Sequence, residues 1–106
     1  MRLYHNPKCS KSRQAKNLLS ERGVDFEDYR YLDNGVHPDD VELLSTIDGI
    51  IRTTDLNSET IFDFEDTKAI ANLISSNPKL LQRPVLICEG VAVIGRPPEN
   101  ILILLP

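Results

Sequence analysis

Residues 2–29 read as strand, helix, strand, and that order leaves the chain little freedom in how it can fold. Arg2-Leu3-Tyr4 is a short apolar strand candidate. Ala15, Leu18 and Leu19 recur at helical spacing and Gly23 follows as a stop signal, which predicts a helix over about residues 10–22. Val24 to Tyr29 alternates apolar and charged residues, the pattern of a half-buried strand. Two strands joined by a crossover helix pair in parallel, and the crossover is right-handed.

The rest of the chain extends this unit. Asp33-Asn34-Gly35 reads as a turn, and Pro38-Asp39-Asp40 opens a short helix with Val41, Leu43, Leu44 and Ile47. Residues 49–60 have weak periodicity and read as loop or short helix. Asp66 precedes a helix with Ile70, Leu73 and Ile74 that ends before Asn77-Pro78. Val85–Cys88 and Val91–Ile94 flank Glu89-Gly90 as a tight antiparallel hairpin. A last helix begins around Pro97-Pro98, since proline is tolerated in a first turn, and carries Ile101, Leu102 and Leu105. The expected class is α/β: a βαβ unit followed by a ββα unit, the three-layer thioredoxin or glutaredoxin plan, with a helical insertion over about 36–80. A chain of 106 residues is long enough for one domain and one core.

Cys9 falls at the junction of the first strand and helix, in the run Tyr4-His5-Asn6-Pro7-Lys8-Cys9-Ser10-Lys11-Ser12-Arg13. A cysteine there meets the unpaired N–H groups of the first helical turn and the positive end of the helix dipole. Both favour the thiolate, which is the nucleophile. The net charge is −4, yet residues 1–16 hold Arg2, Lys8, Lys11, Arg13 and Lys16 and no acid. That local balance suits a nucleophile whose partner is an anion, while the acidic whole lacks the broad basic face that nucleic acid requires. Cys9-x-x-Ser12 is a single-thiol form of the C-x-x-C redox motif. Ser12 lies one turn on, where its hydroxyl can reach back towards the sulfur but cannot resolve a disulfide. Any adduct on Cys9 must therefore be cleared by an outside thiol or a distant cysteine. His5 and Asn6 sit on the approach loop. His5 either tunes the Cys9 pKa or is a strand-end histidine satisfied by local hydrogen bonds.

Among the arginines beyond the first helix, three are candidates for the site: Arg52 in the insertion, Arg83 before Pro84, and Arg96 before Pro97. In a thioredoxin-like fold the residue before the proline that opens the hairpin lies beside the catalytic cysteine, and that proline is often cis. Guanidinium forks suit tetrahedral oxyanions, so three of them converging on a thiolate make an anion-binding cup. The competing reading, solvated surface charge, applies to any isolated arginine. Cys88 ends an apolar strand and reads as a small buried hydrophobe, with a distant resolving thiol as the alternative. No Cys/His spacing suggests a metal site. No apolar run is long enough to span a bilayer or to serve as a signal peptide, so the expected location is cytoplasmic, with no membrane partner. A reducing compartment argues against a structural disulfide.

The run Tyr4-His5-Asn6-Pro7-x-Cys9-x-x-Ser12-Arg13, then Arg52, Gln82-Arg83-Pro84-Val85 and Arg96-Pro97-Pro98-Glu99, resembles the glutaredoxin-coupled arsenate reductases over nearly the whole chain. The resemblance implies that Cys9 is the nucleophile, that Arg52, Arg83 and Arg96 bind the oxyanion, and that His5, Asn6, Ser12 and Arg13 support them. It implies arsenate as substrate, glutathione as co-substrate, glutaredoxin as partner, no bound cofactor and a monomer. Two other functions share the fold. One is a general glutathione-dependent thiol oxidoreductase. The other is a redox-responsive regulator of the Spx type that contacts RNA polymerase; such regulators carry a second cysteine where this chain has Ser12.

Overall fold

The computed structural model describes residues 1–52, 63 and 65–105. The weakly periodic stretch 49–60 therefore lies mostly outside the described residues. The chain divides into two compact units, Met1–Tyr31 with Arg83–Pro106, and Leu32–Gln82.

The first unit is built on a four-stranded mixed sheet in the order β2-β1-β3-β4. Its strands are β1 (Arg2–Tyr4), β2 (Glu27–Tyr29), β3 (Val85–Cys88) and β4 (Val91–Ile94). β1 pairs in parallel with β2, as the crossover requires, and antiparallel with β3, which forms the hairpin with β4. Helix α1 (Ser10–Glu21) makes the crossover, and Gly23 follows it with φ +66°, a left-handed conformation suited to glycine. Ser12, Ala15 and Leu19 form the buried face of α1. Leu3, Leu86, Ala15, Leu19 and Ile101 make one core cluster, so α1 and the C-terminal 3₁₀ helix (Pro98–Leu104) cover the same face of the sheet. Tyr4 points to the opposite face, where its ring lies 4.9 Å from Tyr29 and 5.9 Å from Tyr31.

β2 is shorter than its alternating sequence predicts, because it can pair only along the three residues of β1: Arg2 opposite Glu27, Leu3 opposite Asp28, Tyr4 opposite Tyr29. The expected turn at Asp33-Asn34-Gly35 begins earlier, as one helical turn α2 (Tyr31–Asn34) ended by Gly35 at φ +74°. The last helix is 3₁₀ rather than α, with Asn100 N–H bonded to the Pro97 carbonyl three residues back.

Asp28 fastens α1 to the end of β2. Its carboxylate accepts from Lys16 Nζ at 2.9 Å and from Arg30 Nε at 2.9 Å. Arg30, and then Lys16, hold this carboxyl at about 2 against the opposing effect of burial. A carboxyl whose folded pKa lies below its ordinary 3.8 contributes stability that is complete above that value and is lost as pH falls towards about 2. The pairs are partly exposed, so the contribution is about 1 kcal/mol or less. Urea midpoints followed from about pH 5 to about pH 2 should fall less steeply in Asp28→Asn than in the parent. Equal slopes would mean the clasp adds nothing.

The second unit carries α3 (Val41–Ser45) packed on α4 (Thr67–Ser76). Asp66 caps α4 by accepting from the N–H groups of Lys68 and Ala69, as an aspartate in that position should. Leu44, Ile50, Ile70, Ile74, Leu80 and Leu81 are buried. An antiparallel bridge joins Ile51 to Leu81, flanked by Arg52 N–H to the Leu80 carbonyl at 2.7 Å and Gln82 N–H to the Ile50 carbonyl at 2.6 Å.

Candidate active site

Sheet register decides which loops meet. Tyr4, the last residue of β1, lies opposite Val85, the first of β3, and Val85 lies opposite Ile94, the last of β4. The loop after β1, the loop before β3 and the loop after β4 therefore leave the same end of the sheet. They carry Cys9, Arg83 and Arg96 respectively.

Cys9 is the N-cap residue of α1, with φ −96° and ψ 123°. Its carbonyl accepts the Arg13 N–H at 3.0 Å, and its own N–H donates to the Asn6 carbonyl at 3.0 Å. The residue is 9% exposed. No formed cap bond closes on the thiol, yet donors crowd it. Burial pushes the thiol pKa up, but the Ser12 N–H, the Arg83 guanidinium and the Lys11 N–H together outweigh it, so the pKa lies below its ordinary value. Two N–H groups of the first helical turn and one arginine thus lower it.

The loop that presents Cys9 is stitched from within. His5 Nδ1 lies 2.7 Å from Ser12 Oγ, and the same oxygen accepts the Asn6 N–H at 2.9 Å. Asn6 Oδ1 accepts the Lys8 N–H at 3.0 Å, and Arg13 donates to the Pro7 carbonyl at 2.9 Å. The Ser12 hydroxyl was expected to reach the sulfur. It is held instead by His5 and Asn6, and the backbone N–H of Ser12 faces the sulfur. His5 is 3% exposed. Burial first, and then Arg30, Lys16 and Arg13, lower its pKa against the attraction of Asp28, so the ring is neutral at neutral pH. A neutral imidazole locks Ser12, and through it the first turn of α1, without adding charge at the thiolate.

The peptide bonds Arg83-Pro84 and Arg96-Pro97 are both cis. Arg96 donates to the Arg83 carbonyl at 3.1 Å, so the second arginine is positioned on the backbone of the first. The Gly95 N–H donates to the Pro84 carbonyl at 2.8 Å. A Cβ on Gly95 would lie 2.8 Å from Pro84 Cγ and 3.1 Å from Ile101 Cγ2. The Pro84 ring cannot swing aside. Gly95→Ala is therefore expected to cost about 1–3 kcal/mol, read as a lower urea midpoint, and to displace Arg83 with it. An unchanged midpoint would show that the ring gives way freely. Nothing in the residue pattern singles out Gly95; only the approach of two loops does.

Arg52 belongs to the second unit, where its guanidinium lies 3.5 Å from Gln82 Oε1, the outer limit of a hydrogen bond. Of the eight residues the sequence singled out, Cys9, His5, Asn6, Ser12, Arg13, Arg83 and Arg96 lie in the first unit. Sequence reasoning passed over Asp28 and Arg30, which surround His5 with charge. The sole signal for Asp28 was a charged residue on the alternating β2 pattern. Among the described residues no three His, Cys, Asp or Glu side chains gather to hold a metal ion, and no helix is long and apolar enough to cross a membrane.

The sequence profile of the ArsC family matches residues 4–104. The chain belongs to the ArsC family. Among proteins that resemble this ArsC-family chain, the arsenate reductase of Neisseria meningitidis serogroup A is 40% identical over 112 residues, covering 95% of this chain and 94% of that protein. The uncharacterized protein YfgD of Escherichia coli is 38% identical over 117 residues, covering 96% and 93%. A solved arsenate reductase from Vibrio cholerae superposes with a TM-score of 0.80 over 99% of this chain and 98% of its own, at 29% identity. The α/β fold is thus that of the ArsC family. The regulator Spx 1 of Oceanobacillus iheyensis stands further off, at 26% identity over 98% of this chain and 86% of its own.

Proposed function

We propose that the protein reduces arsenate to arsenite, with Cys9 as nucleophile and glutathione and glutaredoxin as the source of electrons. The observation that carries this reading is the Cys9 thiol, held below its ordinary pKa by helix N–H groups and the Arg83 guanidinium. Relatives named arsenate reductases support it at 40% identity over 95% of the chain.

The Cys9 thiolate attacks arsenic and forms an S–As bond; an oxygen leaves and is protonated to water. Arg83 and Arg96 bind the oxyanion and offset charge as it builds. The thiolate of glutathione then attacks the Cys9 sulfur. An S–S bond forms, the S–As bond breaks, and its electron pair stays with arsenic, which passes from the pentavalent to the trivalent state. Glutaredoxin attacks the glutathione sulfur of the mixed disulfide and releases Cys9 as thiolate. With Ser12 at the second motif position, Cys9 has no neighbouring thiol to resolve it, which is why outside thiols are required.

Purified protein should form arsenite from arsenate when given glutathione, glutaredoxin and a system that keeps glutathione reduced. Omitting glutaredoxin should stall the protein as the Cys9–glutathione disulfide, visible by mass spectrometry. No arsenite from the complete system would overturn the reading. Arsenite formed equally well without glutaredoxin would remove glutaredoxin from it.

A further inference from the structure

A second cluster of positive charge lies beside the Cys9 loop, apart from the guanidinium that stabilises the thiolate. His5, Pro7, Arg13, Lys16, Asn17 and Arg30 line an open cavity of about 360 Å³. Three of the six are cations and His5 is neutral. One carboxylate, Asp28, bonds to both Lys16 and Arg30, so the surroundings keep a net positive charge. Arg13, Lys16 and Asn17 recur at helical spacing and form a strip on one face of α1. At a rise of about 1.5 Å per residue, Arg13 and Lys16 stand about 6 and 10 Å along the axis from Cys9. His5 and Pro7 belong to the loop that presents the sulfur. An anionic group seated in this cavity is within one small molecule's length of Cys9.

We infer that this cavity is a subsite for the carboxylate of a small peptide thiol, holding it while its sulfur, or that of its disulfide, meets Cys9. The inference rests on the reading of Cys9 as nucleophile. A carboxylate one or two residues from a cysteine is reached by about 3–7 Å of extended chain, which fits the distance from Cys9 to the Arg13–Lys16 strip. Asp28 takes the Arg30 fork through Nε and a terminal nitrogen, and Arg13 gives one N–H to the Pro7 carbonyl, so the other Arg13 N–H groups and the Asn17 amide supply the donors while Lys16 and Arg30 add charge. The Cys9–Arg83 site takes the oxyanion; this cavity takes the reductant's charged end.

Disulfide exchange at Cys9 tests the subsite without any arsenate chemistry. The Cys9 thiolate attacks one sulfur of oxidised glutathione, a new S–S bond forms, the old one breaks, and the second glutathione leaves as thiolate. Rates are followed by mass spectrometry with oxidised glutathione and with uncharged hydroxyethyl disulfide. Combining Lys16→Gln and Arg30→Gln with Asp28→Asn, which removes the carboxylate the two cations would leave unpaired beside His5, should slow the glutathione reaction about tenfold and leave the hydroxyethyl reaction within about twofold. The hydroxyethyl rate also reports that the variant is folded. Lys16→Gln alone should lose about threefold, while Arg22→Gln, an exposed charge at the C-terminal end of α1, should lose nothing. Equal losses with both disulfides would mean the cations act through the thiolate and would overturn the subsite. An equal loss from Arg22→Gln would reduce it to a long-range field and overturn it too. If the protein turned over no arsenate, these rates would still decide the matter, so the two readings fail separately.

Discussion

Cys9→Ser is expected to lower arsenate reduction by about a thousandfold or more, to the level of the uncatalysed mixture of arsenate and thiols. A serine hydroxyl in the same place meets the same donors: the N–H groups of Ser12 and Lys11 and the Arg83 guanidinium. Those donors lower the pKa of a thiol and so favour its thiolate, but a hydroxyl remains protonated near neutral pH and is a poor nucleophile. The loss is also qualitative. The electron pair that reduces arsenic is released when an S–As bond gives way to an S–S bond, and oxygen offers no equivalent step. The variant should keep the parent's urea midpoint to within about 1 kcal/mol, because the exchange is nearly isosteric and the hydroxyl meets the same N–H donors. Arsenite production by Cys9→Ser within a factor of ten of the parent would mean that another group performs the attack. Cys88, the second cysteine among the described residues, would then be the first to replace.

Chemistry confined to a few consecutive residues was legible in the sequence. A cysteine between a strand and a helix sees N–H donors whatever the rest of the fold does, and the depressed Cys9 pKa follows from that local geometry with one arginine added. The β3–β4 hairpin and the Asp66 cap were equally local, and both stand where the residue pattern put them. What could not be read were consequences of pairing and approach. The reach of β2 depends on how long β1 is, not on the alternation of residues 24–29. The Ser12 hydroxyl has two partners available, and its choice of His5 and Asn6 over the sulfur depends on where the loop places an imidazole ring. Asp28 looked like any outward-facing strand residue until α1 brought Lys16 across it. The close contact of Gly95 with Pro84 joins two loops eleven residues apart in sequence, and no periodicity encodes it.

Arg83 tests whether the thiolate and the anion site are one device. Its guanidinium lowers the Cys9 pKa both as a hydrogen-bond donor and as a charge. Its carbonyl receives the Arg96 guanidinium at 3.1 Å. Arg83→Ala should therefore act twice. The rate of Cys9 alkylation by iodoacetamide should titrate at a higher pH than in the parent, because burial continues to oppose ionisation while the second-largest favourable contribution is gone. Arsenate reduction should fall by about a hundredfold, the usual cost of losing one charge-stabilising donor, and more below the new thiol pKa than above it. Arg83→Lys separates the two effects. A lysine restores a positive charge near the sulfur but not the planar fork, so the thiol titration should return most of the way while arsenate turnover stays low. Arg96→Ala leaves the Arg83 side chain and its charge in place, so it should weaken arsenate use about tenfold with little change in the thiol titration. Should Arg83→Ala shift the titration and leave turnover at saturating arsenate intact above the new pKa, the guanidinium serves the sulfur alone and the oxyanion is held elsewhere.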